Sequence, residues 1–253
     1  MDVESVKRAA RLLSGSHHVI ALTGAGISTD SGIPDFRSPG GLWDRFNPME
    51  YATIEAFSNN PAKVYQMIKE LHLIVERARP NPGHLALARL EQMGMLKAVI
   101  TQNIDNLHQD AGNKKVIEFH GNGSRLICLN CQKTYGREDY EESLESDELP
   151  MCSCGAVLKP DVVFFGEPIP VEASMLSQHE AQNCDCIMVI GTSATVAPAS
   201  HIPFIAKRAG AAIVEFNTTR TALTDSLADL FVQGSSSETL AAVADRLKLI
   251  GED

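Results

Sequence analysis

The sequence predicts an α/β protein built on a doubly wound parallel sheet, and three observations carry that prediction. Short apolar runs alternate with helically spaced stretches along most of the 253 residues, as strands joined by crossover helices do. Three of those runs end in polar, chemically able residues. Val19-Ile20-Ala21-Leu22 leads into Gly24-Ala25-Gly26-Ile27-Ser28, Ala98-Val99-Ile100 into Thr101-Gln102-Asn103-Ile104-Asp105, and Val116-Ile117-Glu118-Phe119 into His120-Gly121. Ligands bind outside the carboxyl ends of strands in open α/β sheets. Three such ends meeting at one crevice would make a nucleotide site with a titratable group inside it.

Taken in order, residues 3–14 carry helical spacing (Val3, Val6, Ala10, Leu13) and stop at Gly15. A strand at 18–22 precedes the glycine loop, which runs into Ser31-Gly32-Ile33-Pro34. From Ser38 to about Arg79 the sheet pattern is replaced by helical repeats such as Val64, Met67, Ile68 and Leu71, so an inserted helical module is expected. Asn81-Pro82-Gly83 resets the chain, and Leu85, Leu87, Leu90 and Met93 define a helix that Gly94 ends before the strand at 98–101. Residues 124–158 form a second insertion, polar, acidic and cysteine-bearing. The sheet is expected to resume at 162–165, 187–190 and 212–216, with helices near 172–182, 199–209 and 238–249.

Apolar residues make up 44% and charged residues 21%, the proportions of an ordinary globular protein. No apolar run reaches membrane-spanning length and the N-terminus is mixed in charge, so a soluble, cytoplasmic chain without membrane partners is expected. A net charge of −10 disfavours direct nucleic-acid binding and is compatible with a basic peptide substrate. Six cysteines fall as Cys128-x-x-Cys131, Cys152-x-Cys154 and Cys184-x-Cys186. The last pair abuts an apolar run and reads as small hydrophobes. The first four read as a zinc ribbon, because tight thiolate pairs in a reducing compartment suggest metal before disulfides.

The glycine run could let backbone N–H groups approach a pyrophosphate, although a plain turn would use the same glycines. Thr29 stands where a dehydrogenase fingerprint has its third small residue. Asp35, Phe36 and Arg37 place an acid, an aromatic and a base together beside that loop, as a lid over a ligand would. Gln102, Asn103 and Asp105 can hydrogen-bond ribose hydroxyls and a carboxamide. His120 is suited to proton transfer near neutral pH.

Together these motifs resemble the sirtuin family, NAD-dependent protein lysine deacylases, over roughly residues 15–245. Lys159-Pro160-Asp161-Val162-Val163-Phe164-Phe165-Gly166-Glu167, Gly191-Thr192-Ser193 and Asn217 extend the likeness. The resemblance implies a Rossmann-like NAD domain (1–37, 80–123 and 159–253) and a small domain combining a helical insertion (38–79) with a zinc ribbon (124–158). Gly24, Ala25, Asp35, Phe36, Arg37, Gly191, Ser193, Asn217 and Ser236 would hold NAD, with Asn103 and Asp105 lining the nicotinamide pocket and Gln102 contacting the ribose beside it. Val163, Phe165, Gly166 and Glu167 would bind an extended acetyl-lysine peptide by strand addition. His120 would act as general base through the ribose hydroxyls, giving free lysine and O-acetyl-ADP-ribose. One structural zinc would sit on Cys128, Cys131, Cys152 and Cys154, the second pair departing from the commoner two-residue spacing. A monomer is expected. Family members that remove succinyl groups carry Tyr-x-x-Arg on the small-domain helix. Here Tyr51, Tyr65, Tyr135 and Tyr140 are followed three residues on by Ile54, Ile68, Glu138 and Ser143, so little desuccinylase activity is expected.

Overall fold

A computed structural model describes residues 2–35, 40–140, 143–144, 146 and 148–250; Phe36 and Arg37 lie outside the described residues. Among the described residues nine strands form two sheets: β1 (Val19–Thr23), β2 (Leu96–Thr101), β3 (Val116–Glu118), β4 (Gly121–Ile127), β5 (Thr134–Tyr135), β6 (Lys159–Val162), β7 (Cys186–Ile190), β8 (Ala212–Asn217) and β9 (Leu230–Gln233). The larger sheet has the order β3-β2-β1-β7-β8-β9, all parallel. Counting only its own strands along the chain, that is the 3-2-1-4-5-6 order of a dinucleotide-binding fold. The expected α/β class and Rossmann-like topology are both present.

Alternation along the strands explains the two covered faces. Val19 and Ala21 of β1, with Cys186, Met188 and Ile190 of β7, enter one core with residues of helices Val3–Ser14, Pro82–Gln92 and Ser236–Ile250. Ile20, Leu22, Ile187 and Val189 enter the other with residues of helices Val171–Asn183 and Ile202–Arg208. A strand buried on both faces must be apolar at every position, and β1 and β7 are buried throughout. Cys184 and Cys186 are buried free thiols, pushed up to about 12 by burial, so they act as small apolar residues.

The smaller sheet runs β5-β4-β6, antiparallel. It packs on helices Ile54–Asn59 and Pro61–Arg77 through Phe57, Val64, Tyr65, Leu126 and Phe164, and the Tyr65 hydroxyl donates to the Leu158 carbonyl at 2.7 Å. Two features differ from expectation. The run 162–165 is not a strand of the parallel sheet; the chain is extended earlier, at β6, and pairs antiparallel with β4. Its apolar residues therefore cover the small sheet's core. β9 was not anticipated, since its four residues mix apolar side chains with Gln233. Among the described residues no helix is long and apolar enough to cross a membrane.

The crossing between the sheets places the site. β3 ends at Glu118 and β4 starts at Gly121, so Phe119 and His120 are the whole link. Gly121 has φ +78°, and a Cβ there would lie 2.1 Å from the Asp161 carbonyl oxygen. Only glycine lets β6 approach this closely, which fixes His120 at the junction.

Candidate active site

The loops after β1 and β7 abut at the point where strand order reverses. Gly26 N–H donates to the Gly191 carbonyl at 2.8 Å and Gly24 N–H to that of Ile190 at 3.0 Å. A Cβ on Gly26 would stand 2.8 Å from Gly191 Cα, so these glycines serve close backbone approach. Among the described residues the Ala25 N–H has no acceptor, leaving a donor at the crevice. Helix Ser236–Ile250, whose first residue Ser236 is buried, packs against the Ala25–Ile27 turn. Asn217, ending β8, donates to the Thr192 carbonyl at 3.1 Å. Ser193 hydrogen-bonds Thr195 at 2.9 Å on the exposed side of the same loop. Asp35 lies where its loop approaches helix Leu42–Arg45, its carbonyl accepting from Leu42 N–H at 3.1 Å. Glycine cradle, free N–H and helix terminus suit a dinucleotide pyrophosphate.

The loop after β2 carries a buried polar network. The Ser28 hydroxyl donates to Asp105 Oδ2 at 2.7 Å and accepts from Asn103 Nδ2 at 3.1 Å. Asn103 Nδ2 also reaches the Gly24 carbonyl at 3.2 Å. His84 Nδ1 accepts from Asn81 N–H at 3.4 Å, so its Nε2 carries the proton and faces Ser28 at 3.4 Å. Burial raises the Asp105 carboxyl above its ordinary range, while the Ser28 hydroxyl and Leu107 N–H pull it back. A desolvated amide and carboxylate side by side can recognise a carboxamide. Neither Ser28 nor His84 was assigned a role from sequence. For His84 a signal exists, since Asn81-Pro82-Gly83-His84 is a helix capping box in which His84 is the third helical residue.

His120 Nδ1 donates to the Gln102 carbonyl at 3.1 Å, which fixes the tautomer and leaves Nε2 an acceptor. Burial lowers its pKa, partly offset by that bond, so the ring is neutral and able to take a proton. Gln102 is itself held, its Nε2 donating to Thr192 Oγ1 at 3.2 Å. Both residues line a cleft of about 540 Å³ together with Met67, Ile68, Leu71 and Phe164.

The segment after β6 forms the cleft's rim. Val163 N–H donates to the His120 carbonyl at 2.9 Å, Phe165 N–H to that of Ala52 at 2.9 Å, and Ile54 N–H to that of Phe165 at 3.1 Å. Phe165 is 44% exposed, its ring 6.3 Å from that of Trp43. Gly166 has φ +89°. The Glu167 carboxylate turns inward, accepting from Phe164 N–H at 2.8 Å. Among the described residues the Val163 carbonyl accepts no backbone hydrogen bond, as an added strand would require.

The four cysteines of the ribbon converge as well. Their sulfurs all lie within 4.8 Å of one another, with Cys128 to Cys154 and Cys131 to Cys152 at 3.5 Å. Tetrahedral thiolate zinc, with Zn–S near ~2.3 Å, needs sulfurs about 3.8 Å apart, so the donor set fits zinc. The one-residue spacer between Cys152 and Cys154 does not hold their thiols apart. Tyr135 hydroxyl lies 3.1 Å from Cys152 Sγ, a bond of the kind that orients metal ligands.

Comparison with known proteins agrees with this geometry. The Sir2 family model matches residues 24–198. The NAD-dependent protein deacylase 2 of Pyrobaculum aerophilum is 46% identical over 240 residues, 94% of each chain. The NAD-dependent protein deacetylase of Thermodesulfovibrio yellowstonii is 44% identical over 98% of each. A solved structure from work on the mechanism and regulation of Sir2 enzymes superposes with a TM-score of 0.91 at 42% identity, covering 98% of this chain and 99% of that one. A Sir2 variant solved with a deacetylated peptide and 3'-O-acetyl ADP ribose gives 0.89 at 39% identity, over 95% and 98%. Matched by the family model over residues 24–198 and by relatives and solved structures over nearly its whole length, the chain belongs to the Sir2 family, the sirtuins.

Proposed function

We propose that this protein is an NAD-dependent protein lysine deacetylase, in which acetyl-lysine, NAD and water become free lysine, nicotinamide and O-acetyl-ADP-ribose. The observation that carries the reading is His120: a neutral imidazole lining an apolar cleft, with its Nδ1 proton committed to Gln102 and, among the described residues, no partner for its Nε2. NAD supplies an electrophilic ribose carbon when nicotinamide departs. The protein's share is positional. Asn103 and Asp105 hold the carboxamide, the glycine loops and Asn217 hold the ADP-ribose part, and the rim at Val163 to Glu167 pairs with the peptide. Holding amide oxygen and ribose carbon in contact removes much of the entropic barrier for a poor nucleophile. His120 then draws a proton from a ribose hydroxyl so that this oxygen attacks the acyl carbon. Asp35, Phe36 and Arg37 contribute to NAD binding, as do Ser193 and Ser236. The four cysteines carry a structural zinc, and free thiolate ligands suit the reducing cytoplasm.

Mass spectrometry of an acetyl-lysine peptide incubated with protein and NAD tests this. The expected products are a peptide lighter by one acetyl group and O-acetyl-ADP-ribose; a peptide heavier by ADP-ribose would overturn it. His120→Ala should cost at least ~10²-fold in kcat, as loss of a general base does, with ADP-ribose affinity retained. An H120A variant turning over at the native rate would remove His120 from the mechanism.

A further inference from the structure

Lys159 is an unusual residue for its place: it is 3% exposed on β6 of the smaller sheet, yet it is a lysine. Burying an ammonium is costly unless each proton finds an acceptor. Here all three do. Nζ donates to the Val162 carbonyl at 2.6 Å and the Pro160 carbonyl at 3.0 Å, and pairs with Glu167 Oε2 at 3.0 Å. It also stands 4.6 Å from the centre of the Phe164 ring, a cation–π contact in a dry setting. Glu167 Oε2 in turn accepts from Phe164 N–H. One ammonium therefore ties together positions 160, 162, 164 and 167.

Those are the positions that alternate with the rim residues. Val163, Phe165 and Gly166 lie between them, and Val163 N–H is anchored on His120 itself. A hydrophobic residue of similar size could fill the space of Lys159, but could not draw two carbonyls and a carboxylate to one point. Buried ionic groups are a poor source of net stability and are best attested as devices that fix one conformation.

We propose that the pair of buried Lys159 and half-buried Glu167 is a positioning device for peptide binding: it holds the segment 162–167 in the extended shape that an acetyl-lysine peptide pairs with. Lys159 and Glu167 side chains are positioning residues, acting through the backbone of Val163 and Gly166. The inference rests on the deacetylase reading above, yet it can be tested by binding alone.

The test measures the affinity of a fluorescent acetyl-lysine peptide for wild type, Glu167→Gln, Lys159→Met and Lys159→Arg, beside ADP-ribose affinity and thermal melting for each. Peptide Kd is expected to rise about tenfold or more in E167Q and K159M, the scale on which misplaced contacts are felt, while ADP-ribose Kd stays within about twofold. K159R, which keeps charge and donors, should recover part of the loss, and the double variant should be little worse than either single one. In kinetics, peptide KM should rise more than kcat falls. Peptide Kd unchanged in folded E167Q would overturn the proposal, as would peptide and ADP-ribose affinity falling together with melting temperature. E167Q keeps the shape of the side chain and serves if K159M does not fold. Wild type that binds the peptide without deacetylating it would refute the activity and leave the clamp standing.

Discussion

Behind the glycine loop, His84 and His108 are buried with ring centroids 5.0 Å apart. Burial lowers their pKa values to about 4 and about 3. His108 Nε2 meets the Thr23 hydroxyl at 2.9 Å, and that hydroxyl donates to Thr101, so one neutral ring buttresses the ends of β1 and β2. The sign of the linkage follows. Below the ordinary histidine value of 6.5 the unfolded chain binds protons that the folded one refuses, so stability rises with pH there and is lost as pH falls. Between about pH 7 and pH 5 each ring should cost on the order of 2 kcal/mol, before most carboxylates begin to titrate. Urea unfolding across that range should show the decline, and His108→Asn should flatten it. A wild-type stability level between those pH values would refute the account. The capping box marks His84 as a helix-start residue, but nothing in sequence separates His108 from a surface histidine. His120 was legible because it follows an apolar run, whereas His84 and His108 sit on helices whose buried face emerges only in three dimensions.

At the scale of elements, legibility followed burial on both faces. β1, β2, β7 and β8 are nearly unbroken apolar runs because helices cover both sides, and each was readable. The small sheet was not: β4 reads Gly-Asn-Gly-Ser-Arg-Leu-Ile, and its polar positions are spent on cross-links rather than on core. Arg125 of β4 pairs with Glu118 at 2.6 Å and Asp161 at 3.0 Å, bridging the two sheets. Such a thinly packed ribbon, with β5 of two residues, cannot stand on hydrophobic burial alone, and small domains of this kind lean on metal. Metal analysis should therefore give about one zinc per chain, and strong chelation should lower the melting temperature and release the ribbon to proteolysis first. A zinc-free protein with unchanged melting would sink this expectation. The cysteine spacing was visible in sequence, but the convergence of all four sulfurs depends on the β4–β5 hairpin and the turn at Cys152–Gly155, which no periodicity announces.

At the scale of the whole molecule, the cleft is a joint product: the parallel sheet supplies Gln102 and His120, the helical insertion supplies Met67, Ile68 and Leu71, and the segment after β6 closes it with Phe164 and Phe165. Its volume of about 540 Å³ falls in the range that encloses drug-sized ligands, well beyond what an acetyl group fills. Among the described residues lining it there is no lysine or arginine, and Ile68 and Leu71 offer only hydrocarbon where a carboxylate would need a bidentate partner. An acyl chain ending in a methyl group gains by entering, at roughly 0.8 kcal/mol per buried methylene. One ending in a carboxylate must shed water without a lysine or arginine to pair with, a cost on the order of 3 kcal/mol. We therefore predict that kcat/KM on matched peptides stays level or rises from acetyl to butyryl and falls about a hundredfold or more for succinyl. Replacing Ile68 with Tyr and Leu71 with Arg together should narrow that gap, because the pair would supply the missing hydroxyl and guanidinium. Succinyl turnover equal to acetyl turnover in wild type would show that the acyl end lies outside the apolar cleft, in water.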